Sequence, residues 1–212
     1  MNPKYLLFIL SINLISFSLS SQDVWSPEES MKIKSINQTD ISNDGEYIAY
    51  VVREAIMKDK KSEFLSQIWV YNTGRSQSIQ YTFNEKSSTS PKFSPDGKKI
   101  AFLSSRSGKN QIWIMNTLGG EAKKLTDEKK GVRSIKWSPD GKMISFLKSD
   151  DDTEEEIKSK ENKTDVILVD KNFKYSHIYS YNLEEDTVIQ VTSGNYSVNS
   201  FDYSPNGKKI IF

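Results

Sequence analysis

The chain has 212 residues, 36% hydrophobic and 27% charged, and its 29 Lys+Arg against 28 Asp+Glu leave a net charge of +1. That composition suits one globular unit, and the near-neutral charge without a basic stripe excludes nucleic acid as an electrostatic partner. The absence of cysteine excludes disulfides and thiolate metal sites.

Residues 1–20 read as a secretory signal peptide. Lys4 is a short basic start, Tyr5 to Leu19 is apolar and uncharged, and Ser18-Leu19-Ser20 supplies small residues for cleavage. The apolar stretch of ~15 residues is shorter than the ~20 a spanning helix needs. The leader implies a secreted or periplasmic protein with no membrane contact after cleavage. Residues 21–35 then hold a short predicted helix. Ser26 can cap it, Pro27 suits its first turn, Glu29 completes a capping-box spacing, and the helix is expected to run to about Lys34.

A repeat follows. "TDISNDGEYIAYVV" from Thr39, "SPKFSPDGKKIAFLSS" from Ser90, "IKWSPDGKMISFLKS" from Ile135 and "FDYSPNGKKIIF" from Phe201 share one pattern: strand, Asp/Asn-Gly, strand. Asp/Asn-Gly tolerates the positive φ of a tight hairpin turn. Each of the first three copies continues into a strand with an aromatic at its third position (Trp69, Trp113, Tyr179), then a turn, then a strand ending near Thr82, Thr126 or Thr192. The turn glycines Gly45, Gly97, Gly141 and Gly207 lie 52, 44 and 66 residues apart. A four-stranded unit with a base period of about 40–45 residues is the mark of a β-propeller blade.

The fold class is therefore all-β: a partial β-propeller of four-stranded antiparallel blades. Three blades are complete, at about 36–83, 89–127 and 132–193, and the first two strands of a fourth occupy 198–212. The longer spacings come from insertions between second and third strands, at Arg53–Ser66 and Ser149–Ser176. "KIAFLS" and "MISFLK" are nearly continuous apolar runs, as expected of strands covered on both faces. Phe93, Trp137 and Tyr203 are expected to fill the space between blades. Propellers close with ~4 to 8 blades, so a repeat that stops inside "KKIIF" is expected to be a fragment of a longer protein. The strand before each Asp-Gly turn is expected to line the central channel, which makes Ser90, Lys92, Ser134 and Lys136 the candidate lining residues.

Read together, "VWSPEESMKIKSINQTDISNDGEYIAYVVREA", "SEFLSQIWVYNT", "SPKFSPDGKKIAFLSSRSGKNQIWIMNTLGGEAKKLTD", "GVRSIKWSPDGKMISFLK" and "FDYSPNGKKIIF" resemble the N-terminal propeller of secreted bacterial peptidases of the prolyl oligopeptidase family, in the acylaminoacyl-peptidase or dipeptidyl-peptidase-like branch. The resemblance implies a C-terminal α/β-hydrolase domain with a Ser-Asp-His triad as the partner of this chain. Peptides would be the substrates, filtered by the propeller. The Ser-Pro-Asp-Gly unit alone is shared with periplasmic TolB-type propellers, so a non-enzymatic protein-binding module is the alternative.

No residue here fits a catalytic, cofactor or metal role. Gly-x-Ser-x-Gly is absent, and a triad needs a base beside a nucleophile. The single histidine, His177, starts a third strand where the other copies have Gln67 and Gln111, so it reads as a strand residue, and no second His or Cys accompanies it for zinc. "SDDDTEEE", Ser149 to Glu156, lacks the alternating ligands and turn glycine of a calcium loop and reads as a solvated, mobile loop. The apolar segment after it is expected to return to the blade as a strand. "SSRSGKN", Ser104 to Asn110, lacks the upstream glycine of a phosphate loop and reads as a strand connection.

Overall fold

The computed structural model describes residues 26–58, 61–162 and 173–212. The predicted signal peptide, and most of the apolar segment expected to follow the acidic run, lie outside the described residues.

Three four-stranded antiparallel sheets follow one another. The first is β1 (Ser35–Ile41), β2 (Tyr47–Lys58), β3 (Lys61–Asn72) and β4 (Gln77–Gln80). The second is β5 (Ser88–Phe93), β6 (Lys99–Ser104), β7 (Gln111–Asn116) and β8 (Lys123–Lys124). The third is β9 (Arg133–Trp137), β10 (Met143–Ser149), β11 (Ser176–Asn182) and β12 (Thr187–Gln190), and a two-stranded sheet, β13 (Asp202–Tyr203) with β14 (Ile210–Ile211), ends the chain. In each complete sheet the strands lie in sequence order and pair antiparallel with their neighbours. The first strands of adjacent sheets touch, β1 against β5 and β5 against β9. The sheets therefore fan from a shared inner edge as propeller blades, with β4, β8 and β12 at the outer edges.

Burial explains why the units need one another. Along β6 successive side chains point to opposite faces. Ile100 and Phe102 pack with Ala49, Val51, Ile68 and Val70 of the first blade. Ala101 and Leu103 pack with Val132, Ile135, Ile144 and Phe146 of the third. Leu147 and Ile178 on the far face of the third blade meet Val198 and Phe201. Full burial of each such side chain contributes about 1.5–3 kcal/mol. Phe93, Trp137 and Tyr203 each join the cluster shared with the preceding blade. The face of β1 turned away from the second blade is uncovered: Ile41, at the repeat position of Phe93, is 60% exposed, against 7% for Phe93.

Two local expectations are corrected. The N-terminal helix α1 covers Pro27–Met31 and stops short of Lys34. Ser26 Oγ does accept from the Glu29 backbone N–H (3.1 Å), but the Glu29 carboxylate turns to Lys32 (2.6 Å), and the turn tightens through Lys32 N–H to Glu29 O and Ile33 N–H to Ser30 O. Pairing of Ser35 with Arg53 then pulls the chain into β1. In the first insertion β2 and β3 stay paired from Arg53↔Ser66 to Lys58↔Lys61, as an arm that prolongs both strands.

The acidic run is the second correction. It folds into a helix, α2 (Glu154–Glu161), because Thr153 and Glu156 form a complete capping box. Lysines also neutralise its acids: Asp152 bridges Lys130 and Lys160, each at 2.7 Å, and Glu156 meets Lys174 at 2.6 Å. The Asp152 pKa is held at about 2 by those two lysines.

If the blades stabilise one another face to face, equivalent positions should differ sharply in cost. Phe93→Ala is expected to lose about 3–5 kcal/mol in denaturant unfolding, and Ile41→Ala less than about 1 kcal/mol. Equal losses would contradict the fan.

Candidate functional site

The inner strands β1, β5, β9 and β13 carry the candidate site. In the first three, a residue two places before the charged position adopts positive φ: Gln38 at 51°, Ser90 at 54° and Ser134 at 56°. Each coincides with a register shift against the second strand, so each is a bulge. Holding a non-glycine residue there costs about 1–2 kcal/mol. Ser90 and Ser134, expected to line a channel, are thus first of all bulge residues, and the Ser90 N–H donates to Gln38 Oε1 of the neighbouring strand (2.9 Å).

Lys92 and Lys136 do reach across blades. Lys92 Nζ lies 2.7 Å from Asp40 Oδ1, and Lys136 Nζ 2.6 Å from Asp202 Oδ2. The second Asp40 oxygen accepts from the Phe93 backbone N–H (2.8 Å). The Lys136 ammonium beside Asp202 holds that carboxyl below its usual range. Between these pairs, Trp137 Nε1 donates to Lys92 O (2.9 Å), joining the second and third blades. Asp40 and Asp202 were missed in the sequence, although the signal was there: they occupy the repeat position of Lys92 and Lys136. The result is a charge-balanced quartet, acid-base-base-acid, along the inner edge.

The Ser-Pro-Asp-Gly turns stack at one end of this edge. Ser94 N–H donates to Lys99 O (2.8 Å) and Lys99 N–H donates back to Ser94 Oγ (2.9 Å), enclosing a four-residue loop. Only the glycine of each Asp/Asn-Gly pair takes positive φ, between 68° and 74°. The acid instead serves as an acceptor, with Asp96 Oδ1 receiving hydrogen bonds from Ser94 Oγ (2.5 Å) and from Lys98 N–H (3.1 Å). Ser42, Ser138 and Ser204 repeat the arrangement. Neighbouring turns meet, with Gly141 against Pro95, Gly207 against Pro139, and Asn43 Nδ2 donating to Pro95 O (2.8 Å).

His177 belongs to a recurring lock. In the first blade, Thr82 Oγ1 donates to Gln67 Oε1 and accepts from Ile68 N–H; in the second, Thr126 does the same with Gln111 and Ile112. In the third, Thr192 Oγ1 lies 3.4 Å from His177 Nδ1 and accepts from Ile178 N–H (2.9 Å). The buried imidazole also meets the Tyr196 ring edge-on. It ties the third strand to the segment after the fourth.

The end opposite the turns carries the arm, α2 and the Ser104–Asn110 connection. There a cleft of about 380 Å³ between the second and third blades is lined by Lys109, Lys130, Gly131, Arg133, Leu147 and Ser149. Two of its cations are committed, Lys130 to Asp152 and Arg133 to Ser176 Oγ (3.0 Å) and Val198 O (3.3 Å). Nearby, burial alone would lower the Lys148 pKa, but Glu128 at 2.7 Å and Asp151 raise it overall. Among the described residues no group of three or more His, Asp or Glu is placed to hold a metal. Among them, too, no helix is long and apolar enough to cross a membrane.

Comparison with known proteins agrees with this architecture. A sequence-family model described as TolB beta propeller domain matches residues 53–174. A Bacillus subtilis (strain 168) protein named "Uncharacterized peptidase YuxL" is 38% identical over 76 residues, which are 36% of this chain and 11% of that protein. The uncomplexed Pyrococcus horikoshii acylaminoacyl peptidase superposes with a TM-score of 0.63 at 23% identity, over 85% of this chain and 28% of that one. A putative TolB from Agrobacterium tumefaciens gives 0.52 at 24% identity, over 79% of this chain and 53% of that one. The chain thus corresponds to a minor part of the peptidases it resembles.

The turn geometry has a pH consequence. The Ser94 hydroxyl, then the Lys98 N–H, hold the Asp96 pKa below its ordinary value, and Ser138 and Lys142 do the same for Asp140. A depressed carboxylate stabilises the fold above its ordinary pKa and loses that contribution as pH falls through the depressed value. Ser94→Ala is expected to raise the Asp96 pKa in a carboxyl-carbon NMR titration, leave Asp140 unmoved and cost about 1 kcal/mol. An unmoved Asp96 would contradict the hydroxyl's role.

Proposed function

Because the chain belongs to the TolB beta propeller domain family, we propose that it is the propeller part of a secreted serine-type peptidase, admitting peptides to an α/β-hydrolase domain carried on the same full-length polypeptide. The observation that carries this reading is the 38% identity to a protein named as a peptidase. The reading also fits a chain whose only histidine is spent on a structural lock. Hydrolysis would take place in the other domain, through an acyl-enzyme formed by a serine with histidine as base and backbone donors around the oxyanion.

In this reading the propeller supplies no reacting group. Its inner edge selects by size and charge, with Lys92 and Lys136, balanced by Asp40 and Asp202, facing the peptide's path beside Ser90 and Ser134. The leader at residues 1–20 would place the protein outside the cytoplasm, as secreted or periplasmic. A second reading, a TolB-like protein-binding propeller without enzymatic activity, is favoured by the family description and by the likeness to TolB structures.

An assay of the full-length gene product against aminoacyl and dipeptidyl chromogenic substrates separates the two. The peptidase reading expects turnover by the full-length protein and none by the 212-residue chain alone. Turnover by the short chain that disappears in His177→Ala would overturn it, and an inactive full-length protein would favour the binding module. In the active full-length enzyme, Lys92→Glu with Lys136→Glu is expected to change the ratio of long- to short-peptide hydrolysis at least about threefold, because it reverses the charge along the path. An unchanged ratio would remove the inner edge from selection.

A further inference from the structure

The inner strands carry one charge that no acid balances. The charged residues of β1, β5, β9 and β13 are Asp40, Lys92, Arg133, Lys136 and Asp202. Asp40 pairs with Lys92 and Lys136 with Asp202, which leaves Arg133. Its guanidinium donates to Ser176 Oγ (3.0 Å), Val198 O (3.3 Å) and Asn199 O (3.4 Å). These neutral oxygens hold it between β9, β11 and the segment leading to β13 without cancelling its charge. A guanidinium has five N–H donors, and these contacts use three. Counted back from the turn serines, the same repeat position holds Asn37, Thr89 and Asn199, so the arginine is peculiar to the third blade.

Arg133 opens β9 at the end opposite the turns, where it borders the cleft of about 380 Å³. The charged lining of that cleft is one-sided: Lys109, Lys130 and Arg133, with no acid among the described lining residues. Lys109 stands exposed and forms no ion pair with a described residue. Lys130 and Lys160 share the single carboxylate of Asp152, so that group keeps one positive charge in excess. Lys148 beside it, between Glu128 and Asp151, is one negative in excess and offsets only part of this. The second cleft between these blades, about 350 Å³, is balanced, since Lys99 and Lys123 line it together with Glu121 and Asp186.

A cleft lined by one sign of charge concentrates ligands of the other, and a guanidinium that keeps free N–H groups suits an oxyanion. We propose that this cleft is a carboxylate-binding site in which Arg133 and Lys109 select an anionic group of a peptide. The peptide as ligand rests on the peptidase reading above; the preference for a carboxylate rests on the cleft itself.

The test is fluorescence anisotropy on the full-length gene product, treated with a serine-hydrolase inhibitor, using three N-terminally labelled probes. They are an alanine tetrapeptide with a free C-terminus, its C-terminal amide, and that amide with one internal glutamate. At low salt at least one acidic probe is expected to bind about threefold or more tighter than the plain amide, and salt should erode the difference. Tighter binding of the free acid assigns the C-terminal carboxylate, and of the glutamate probe a side chain. Lys109→Glu should abolish the preference, while Lys98→Glu, the same charge change at the turn end, should leave it. Arg133→Gln should abolish it too. Because Arg133 also ties β9 to Val198, that variant counts only with an unaltered unfolding midpoint, and Lys109→Glu otherwise decides.

Equal binding of the three probes, a preference that survives Lys109→Glu, or displacement by inorganic phosphate but not by acetate would each overturn the proposal. Hydrolysis by the uninhibited protein separates the two readings. Turnover without carboxylate preference removes the site and keeps the peptidase; preference without any turnover keeps the site and removes the peptidase.

Discussion

Everything in this fold depends on burying the apolar faces of the blades against one another. Ile100 and Phe102 look one way from β6 and Ala101 and Leu103 the other, and all four are buried because a blade stands on each side. A single four-stranded sheet of this sequence would expose one apolar face to water. Stability is therefore a property of neighbours, as in other repeat proteins.

Polar devices make that apolar stacking specific. A serine hydroxyl closes each hairpin from inside, and a buried threonine closes the outer strand onto the third. The inner edge holds its bulges against strain and links blades through Asp40–Lys92 and Lys136–Asp202. These solvent-accessible ion pairs are worth little in stability, about 0.2–1 kcal/mol each. Their weight lies in linking neighbouring blades along the inner edge.

The sequence made the repeat plain, because Asp/Asn-Gly turns and apolar strand runs are local signals that survive without an alignment. It was also right to put Phe93, Trp137 and Tyr203 between blades. What it hid depends on pairing across the repeat or on competition between local preferences. The Gln67–Thr82 and His177–Thr192 locks join residues 15 apart, and only the folded blade brings them together. The run at Asp150–Glu156 looked like self-repelling charge, yet Thr153 caps a helix and Lys130, Lys160 and Lys174 arrive from elsewhere to neutralise it. Ser90 and Ser134 gave no hint of positive φ, because serine is an uncommon choice there. For the candidate site, the sequence named Lys92 and Lys136 as lining residues but gave no sign of their pairing with Asp40 and Asp202, since alternation of sign along one repeat position is visible only when the copies are aligned for charge.

The central claim is geometric: successive turns stand around one axis. Pairs of nitroxide labels on cysteines at Asp44, Asp96 and Asp140, in a chain with no other cysteine, measure it by electron–electron dipolar coupling. Blades fanned about an axis give similar distances for 44–96 and 96–140, and a 44–140 distance clearly shorter than their sum. A 44–140 distance equal to that sum would describe sheets laid in a straight stack, and would contradict the account.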